Sequence, residues 1–486
     1  MSQDDTKLGG SVSCEEDAKR LQDDLDRLDS KPFNPEEVRD IVAALQQPAV
    51  FLNMVSDWPA LKWNAEYLSH VLHGKPLKFR IGERKMNKVP QFETHCGYVQ
   101  ATLQEFLVWL HGESDVCPGP FASFPRSRYW AYADYKYIAM MFEEKVELFQ
   151  DVTWSDFGFC GRDGRDSTLW IGSEAANTPC HFDTYGCNLV LQVQGRKRWH
   201  LFRPEDTSFL YPTRIPYEES SVFSSVNVVN PDLERFPRFR GARPHVVTLR
   251  PGEVLVVPKH WWHYVESLDP VTVSINSWIE LGDDDEARVG EALTRTVVCA
   301  LKSADPHAVT ASWLNTTEVA VTSHQTNLHY VNLAVQACLD KPNICPPNSA
   351  KWGNQSARAS SACPKKRKCD SGEGAGQSVA ADAARSLAEP KATLTTSIPF
   401  GPNLVPVGQA AGAAVQERVS GIPGDHNISL NNSPEAHRCS GRVDCNSKPT
   451  GVHKMVMSTD ELLNCLVHPD VIRLMTQILL DRQYSP

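Results

Sequence analysis

Two histidines and one aspartate form the most informative pattern in this chain. His181 and Asp183 are two residues apart, and His263 follows at the end of residues 258–263. Residues two apart on an extended strand point to the same side of it, so this imidazole and carboxylate can converge. Two imidazoles and one carboxylate can hold Fe(II) on one face and leave the opposite positions open for a cosubstrate and O₂. The residue types therefore predict a non-haem iron oxygenase rather than a closed structural zinc site.

The His-x-acid spacing is a weak signal by itself. With 16 His and 59 acidic residues in 486 positions, composition predicts about two such matches by chance. The chain contains two further matches, at His111 with Glu113 and at His468 with Asp470. Neither has a strand-like setting, so both are interpreted as surface histidines beside an acid.

Composition restricts the class of protein. A net charge of −10 disfavours a generally basic nucleic-acid surface, and no DNA partner is expected. The 14 cysteines are scattered without a C-x-x-C pair, and the N-terminus is polar and acidic. No apolar run approaches the roughly 18 residues of a membrane helix. We therefore expect a soluble protein in the cytoplasm, without a membrane partner.

Six short apolar runs, separated by Gly and Pro, predict β-strands in the middle of the chain. They lie at residues 168–171, 189–193, 198–202, 246–249, 254–257 and 271–275. Many short strands at this spacing indicate a sandwich or barrel. Between two of them, Pro251 and Gly252 suit a type II turn, which predicts a hairpin. Barrel packing is the interpretation given to five tryptophans: Trp170, Trp199, Trp261, Trp262 and Trp278.

Other segments flank the predicted barrel. Residues 1–34 are charged and predicted to be mobile, and Asn34 followed by Pro35 indicates the start of a helix. Residues 35–123 are assigned to a mixed helix and strand part, and residues 124–288 to the barrel. Helical spacing at 286–304 and 310–341 predicts a helical flank over 289–344 that packs on the barrel or forms a dimer contact.

The C-terminal part changes in composition. Residues 345–455 are rich in small and polar residues and are predicted to be a disordered tail. Residues 456–486 have the spacing of an amphipathic helix that docks on the folded domain or binds a partner, and its predicted apolar face consists of Val471, Leu474, Met475, Ile478 and Leu479. Nuclear entry is a further hypothesis, because a basic cluster in the tail resembles an import signal: Lys365, Lys366, Arg367 and Lys368.

Several motifs, in order along the chain, resemble the JmjC or cupin-like hydroxylases. They are Leu-Trp-Ile-Gly-Ser at 169–173, Asn-Thr-Pro-Cys-His-Phe-Asp at 177–183, Pro-Gly-Glu at 251–253 and Trp-Trp-His at 261–263. The resemblance covers about residues 35–288. It implies a mainly β fold with flanking helices around a double-stranded β-helix of the jelly-roll type. It also implies that His181, Asp183 and His263 bind Fe(II) and form the catalytic centre.

The same resemblance implies a binding site for the cosubstrate 2-oxoglutarate. Its residues would be Lys197 for the distal carboxylate, Thr178 for a hydroxyl hydrogen bond, and Asn188, Asn276 and Tyr132 along the pocket. An ammonium group can neutralise a carboxylate inside a barrel, whereas a buried lysine without an anion is costly. Strand alternation would then place Lys197 inward and its neighbours Arg196 and Arg198 outward. The alternatives are an exposed strand lysine and purely structural asparagines.

Two functional hypotheses follow. The first is a JmjC-type Fe(II)/2-oxoglutarate-dependent dioxygenase, a hydroxylase of a protein side chain or a modified RNA base. Histone demethylation is disfavoured because no zinc-finger or chromatin-reader segment accompanies the barrel. Over the whole chain, the resemblance extends to family members linked to the stress response and implies small heat-shock proteins as partners. The second hypothesis is an interaction protein for small heat-shock proteins whose barrel has little turnover.

Overall fold

Fifteen strands and eight α-helices are assigned in the computed structural model, which describes residues 31–85, 87–112, 119–304, 322–340, 397–410 and 459–484. The strands are β1 (Ala49–Phe51), β2 (Leu77–Glu83), β3 (Gly97–Ala101), β4 (Tyr129–Tyr137), β5 (Thr168–Ser173), β6 (Asn177–Asp183), β7 (Cys187–Gln194), β8 (Lys197–Phe202), β9 (Pro212–Glu218), β10 (Ser221–Ser224), β11 (His245–Leu249), β12 (Val254–Val257), β13 (Trp262–Ser267), β14 (Val271–Ile279) and β15 (Leu404–Pro406). The helices are α1 (Pro35–Ala44), α2 (Ala65–Val71), α3 (Leu103–His111), α4 (Ile138–Met141), α5 (Asp285–Ala304), α6 (His324–Asp340), α7 (Thr459–Leu466) and α8 (Pro469–Tyr484).

The strands form two antiparallel sheets. The major sheet has nine strands in the order β15-β1-β12-β7-β14-β5-β4-β2-β3, and the minor sheet has six in the order β11-β8-β13-β6-β10-β9. Consecutive strands alternate between the two sheets from β5 to β8 and again from β11 to β14, and apolar side chains of both sheets meet between them. This arrangement confirms the predicted double-stranded β-helix with flanking helices.

Each of the six predicted strands is present, but the predicted hairpin is wrong. Its turn forms, with Gly252 at φ +87° and the Glu253 N–H donating to the Arg250 carbonyl at 3.1 Å. However, β11 pairs with β8 in the minor sheet, while β12 pairs with β7 and β1 in the major sheet. The turn residues determine only that the chain reverses direction. The partner of each strand depends on the sheet in which that strand is buried.

The predicted helix start at Asn34 is confirmed. The Asn34 side chain accepts a hydrogen bond from the Glu37 N–H, and the Glu37 carboxylate accepts one from the Asn34 N–H. This capping box satisfies backbone donors at the first turn of α1. The helix buries Val38, Ile41 and Val42 in the core on the outer face of the major sheet. Residues 1–30, within the predicted mobile N-terminus, lie outside the described residues.

The helical flank packs on the barrel. Val298 and Cys299 of α5 share a buried cluster with Tyr217 of β9 and with Leu463 of α7.

A buried bidentate ion pair also links the flank to the barrel. Arg214 of β9 donates to both carboxylate oxygens of Glu291 of α5, at 2.6 and 2.7 Å. Helix α6 covers the other side of α5, and residues 305–321 between the two helices lie outside the described residues.

The predicted terminal helix consists of two docked helices, since α7 ends at Leu466 and α8 begins at Pro469. Ile472 and Leu480 are buried against the flank. The predicted apolar face is partly wrong, because Leu474 and Ile478 remain 59% and 45% exposed. No helix in the described ranges is both long and apolar enough to span a bilayer.

One part of the predicted disordered tail is ordered. Residues 397–410, which we name the strap, turn at residues 401–404 and continue as β15, which pairs with β1. Leu404 and Val407 of the strap are buried at 0% and 4% exposure. The disorder prediction is therefore wrong for the strap. The rest of residues 345–455, including the basic cluster at 365–368, lies outside the described residues.

Candidate functional site

A polar pocket lies between the two sheets, among otherwise apolar barrel residues. All eight site residues predicted from the sequence line it. The complete lining is Tyr132, Tyr135, Trp170, Thr178, His181, Asp183, Asn188, Val190, Lys197, Trp199, His263, Val265, Ser274, Asn276 and Trp278. The fold thereby brings residues from two distant stretches of the sequence, 132–199 and 263–278, to one pocket.

Strand pairing brings the two histidines together. His263 of β13 is the register partner of His181 of β6, and their ring centroids are 4.2 Å apart. Asp183 lies two residues further along β6 and lines the same pocket. All three residues are buried: His263 is 3% exposed, His181 is 6% exposed and Asp183 is 9% exposed. The sequence distance between them is closed by antiparallel pairing within the minor sheet.

Backbone contacts define which ring nitrogen of each histidine carries the proton. His181 Nδ1 lies 2.8 Å from the Pro179 carbonyl oxygen, and His263 Nδ1 lies 3.0 Å from that of Trp261. A carbonyl oxygen only accepts, so each neutral ring carries its proton on Nδ1. The lone pair of each ring is then on Nε2, which is the form that a metal ligand requires, with its other nitrogen held by a carbonyl.

Trp278 contacts the carboxylate. Its indole Nε1–H donates to Asp183 Oδ2 at 3.2 Å. This bond orients the carboxylate in the pocket, so the interpretation of Trp278 as simple packing is incomplete. The alternation of side chains along β14 indicates that Trp278 faces the pocket. Ser274, Asn276 and Trp278 are spaced two apart, and all three line it.

The histidines and the aspartate share the pocket without forming a ready coordination sphere. In the described part of the chain, no three His, Cys, Asp or Glu side chains are arranged to hold a metal ion. The donor set itself, two neutral imidazoles and one carboxylate, suits Fe(II). The residues thus fit a metal chemically, and adjustment of their side chains would be needed to surround one. Their role as ligands stays a prediction.

Lys197 is buried and points into the pocket. Its ammonium donates to Ser274 Oγ at 2.7 Å and to the Tyr132 hydroxyl at 3.2 Å, and the side chain is 2% exposed. Burial lowers its pKa to about 7. No carboxylate forms an ion pair with it among the described residues. A buried ammonium held only by hydroxyl oxygens is a site that a ligand carboxylate would complete.

The two sequence neighbours of Lys197 face outward. Arg196 pairs with Asp269 at 2.8 Å, and Arg198 pairs with Glu266 at 3.3 Å, both on the exterior of the barrel. The predicted alternation, with Lys197 inward and its two neighbours outward, is therefore confirmed. The alternative of an exposed strand lysine is wrong.

A hydrogen-bond chain orders the amides of the pocket. Trp170 Nε1 donates to Asn276 Oδ1 at 2.7 Å, and Asn276 Nδ2 donates to Asn188 Oδ1 at 2.8 Å. Both asparagines are thus held in one amide orientation. A structural role and a ligand-facing role coexist here, because the same side chains that bond to each other also line the pocket.

Aromatic residues complete the wall. Burial raises the pKa of the Tyr132 phenol well above its usual range, so it keeps its proton and can donate to an anion. Tyr135, which sequence reasoning did not select, lies against Trp170 with centroids 4.5 Å apart and donates its hydroxyl hydrogen to Glu218 at 2.8 Å. Its positive φ of +52° is a local conformation that no sequence pattern indicated.

Comparison with known families agrees with this geometry. A model of the cupin-like domain matches residues 35–284. That range nearly coincides with the region whose motifs resemble JmjC and cupin-like hydroxylases. The class of protein is thereby defined as cupin-like.

Individual relatives extend over almost the whole chain. HSPB1-associated protein 1 of Homo sapiens is 53% identical over 471 residues, covering 93% of this chain and 94% of that protein. The HSPB1-associated protein 1 homolog of Danio rerio is 49% identical over 474 residues, covering 94% and 99%. Lysine-specific demethylase 8 of Xenopus tropicalis is 28% identical over 250 residues, half of each chain. The chain therefore belongs to the cupin-like family and, within it, to the family of HSPB1-associated protein 1.

Proposed function

We propose that this protein is an Fe(II)- and 2-oxoglutarate-dependent dioxygenase of the JmjC type, a hydroxylase that also associates with small heat-shock proteins. One observation supports the catalytic part above all others. A buried lysine without a carboxylate partner among the described residues shares a pocket with two imidazoles and a carboxylate. The two imidazoles and the carboxylate would bind a metal, and the lysine would pair with a dicarboxylate cosubstrate.

The proposed roles follow the contacts. His181 and His263 would bind Fe(II) through Nε2, since Nδ1 of each ring is held by a carbonyl. Asp183 would provide the carboxylate ligand, oriented by Trp278. When bound, iron and 2-oxoglutarate would supply the oxidising chemistry, in which one atom of O₂ ends in succinate as 2-oxoglutarate loses CO₂ and the other hydroxylates a C–H bond.

The remaining pocket residues would bind and orient the cosubstrate. Lys197 would pair with its distal carboxylate, and the protonated Tyr132 phenol would donate a further hydrogen bond. Thr178 would add a hydroxyl, and the ordered amides of Asn188 and Asn276 would line the cavity. Because the pocket lies between two packed sheets, these groups act in a region with little water, where ionic contacts are strong.

Metal and cosubstrate use can be tested without knowing the substrate. We expect wild-type protein to convert 2-oxoglutarate to succinate only with Fe(II), and His181→Ala to lose this conversion. His200→Ala is the matched control, because this histidine lies on β8 outside the pocket and approaches Glu266 at 3.7 Å. Anaerobic titration of Fe(II) gives a second readout, in which only His181→Ala loses binding.

A second candidate function is an interaction protein with little turnover. It is favoured by the absence, within the described ranges, of a preformed metal-binding group. Equal background succinate formation in wild type and His181→Ala, together with unchanged Fe(II) titrations, would contradict the dioxygenase proposal and leave this candidate.

The partner part of the proposal rests on the relatives, whose name states an association with HSPB1. We expect purified full-length chain to comigrate with a purified small heat-shock protein in size-exclusion chromatography. His181→Ala should comigrate equally, because the pocket is buried and is not an exposed binding surface. Failure of both proteins to comigrate would contradict the association while leaving the enzymatic test unaffected.

A further inference from the structure

The strap bridges the two sheets at their open edges. On one side, β15 pairs with β1, and Leu52 N–H donates to the Asn403 carbonyl at 3.0 Å. On the other side, the Val246 N–H of β11 donates to the Gly408 carbonyl at 3.4 Å, and the Ala410 N–H donates to the Pro244 carbonyl at 3.0 Å. We name these edges of β1 and β11 the seam. The strap therefore closes a gap between two sheet edges that would otherwise expose backbone polar groups.

Two apolar anchors hold the strap in two different cores. Leu404 belongs to the cluster on the outer face of the major sheet, together with Phe51. Val407 belongs to the cluster between the sheets, together with Leu255 and Trp261. Val405, by contrast, is 41% exposed. The seam thus contacts the short strand β15 and two side chains three positions apart, which are the elements of peptide recognition by strand addition.

The composition of the strap is that of a peptide ligand. Residues 397–410 contain no charged side chain and include three prolines, at 399, 402 and 406. Pro406 lies in β15, the outermost strand of the major sheet, where a residue without an N–H blocks further strand addition. In sequence the strap is far from the barrel strands, the last of which before it ends at Ile279.

We propose that the seam is a binding site for an uncharged apolar peptide that adds a short strand to β1, and that residues 397–410 occupy it as a separable ligand in cis. A tethered ligand has a high effective concentration, so it excludes a free peptide of the same sequence from the wild-type chain. Once the tethered copy is weakened, the seam accepts the same peptide in trans. This site is distinct from the metal and cosubstrate pocket and does not depend on its activity.

The test uses the full-length chain and a fluorescein-labelled synthetic peptide of residues 397–410, with binding measured by anisotropy. Leu404→Ser combined with Val407→Ser removes both anchors of the tethered strap. This double variant should bind the peptide saturably, and the wild type at least tenfold more weakly. Val405→Ser is the matched control, since it makes the same valine-to-serine change at an exposed position, and it should behave like the wild type.

Peptide variants test which side chains the seam recognises. A peptide carrying Val407→Ser should bind the double variant at least tenfold more weakly than the parent peptide. A peptide carrying Val405→Ser should bind within about twofold of the parent, because exposed side chains contribute little. Equal binding of all three peptides would overturn the proposal, since the contact would then be non-specific.

Hydrogen exchange on the wild type provides a measurement that needs no destabilising substitution. The amides of Val407 and Ala410, which donate to the Pro48 and Pro244 carbonyls outside the strap, should exchange at least tenfold faster than those of Leu189 and Val256 in the sheet interior, because a separable strap opens without global unfolding. Exchange of all four at one rate would show an integral strand and overturn the proposal. A double variant that loses its cooperative thermal transition, or that stays folded without binding peptide, would overturn it equally.

Discussion

The two halves of the barrel interior differ in chemistry although both are buried. One half holds the polar pocket, with Lys197, Asn188 and Asn276 among its residues. The other half is an apolar cluster that includes Leu255 and Val257 and is closed by Val407 of the strap. Trp199 belongs to both, because it lines the pocket and also packs in the cluster.

This contrast separates stability from ligand binding. Apolar side chains between the sheets stabilise the fold by leaving water. Burial of an ammonium without an anion destabilises it, and the lowered pKa of Lys197 is the sign of that cost. Residues retained despite such a cost are typical of functional sites. The four predictions below test this division.

The largest effect on stability is expected in the apolar half. Leu255→Ala should lower the free energy of unfolding by about 2–5 kcal/mol, because it leaves a cavity in a closely packed cluster. Leu255 is fully buried, whereas Val405 is exposed, so Val405→Ala serves as the control with a change of about 0.5 kcal/mol or less. Urea unfolding measures both. A similar loss in the two variants would contradict the assignment of stability to the cluster.

In the polar half, Lys197→Met should act in the opposite direction. The affinity for 2-oxoglutarate should fall by about 2 kcal/mol or more, since a buried charge partner is removed. The free energy of unfolding should stay equal or rise, because a costly buried ammonium is replaced by an apolar chain of similar length. Calorimetric titration and urea unfolding measure the two effects.

Arg198→Met is the control for Lys197→Met. Arg198 is the next residue on β8 and pairs with Glu266 on the outside of the barrel. The affinity of the Arg198→Met variant for 2-oxoglutarate should match that of the wild type. If Lys197→Met destabilised the protein as strongly as Leu255→Ala does, Lys197 would be part of the stabilising core and the comparison would fail.

The stability difference between wild type and Lys197→Met should depend on pH. The pKa of Lys197 is lowered from 10.5 to about 7 in the folded chain. Between these values the unfolded state binds the proton and the folded state has released it, so wild-type stability rises with pH relative to the variant. Thermal melts at pH 7, 8 and 9 should show a narrowing difference. Parallel curves would mean that Lys197 keeps its charge when buried.

The smallest predicted effect concerns Trp278→Phe, which removes the indole donor to Asp183. Fe(II) affinity should fall about tenfold, the usual size for the loss of a group that orients a metal ligand. Trp109→Phe is the control, because its indole also donates a hydrogen bond, to the Phe124 carbonyl at 2.7 Å, outside the pocket. Unchanged Fe(II) affinity in Trp278→Phe would show that the indole only packs.

Local patterns predicted much of this architecture. The capping box at Asn34, the six strands and the inward orientation of Lys197 depend on residues within a few positions of each other, and each is confirmed. The eight predicted site residues line one pocket. Strand alternation predicted that His181 and Asp183 converge and that Lys197 faces inward, whereas the other cosubstrate positions followed from the resemblance to JmjC and cupin-like hydroxylases. Tyr135 was missed, since its place depends on an unusual backbone conformation.

The sequence by itself determined which segments form strands and which residue types a pocket could use, because side-chain alternation and turn chemistry act over short distances. Only the tertiary structure decided that β11 and β12 lie in different sheets, that Trp278 reaches Asp183, and that the strap closes the barrel. These outcomes depend on contacts between residues far apart in the chain. The free energy of such contacts comes from burial against a particular neighbour, which no local pattern specifies.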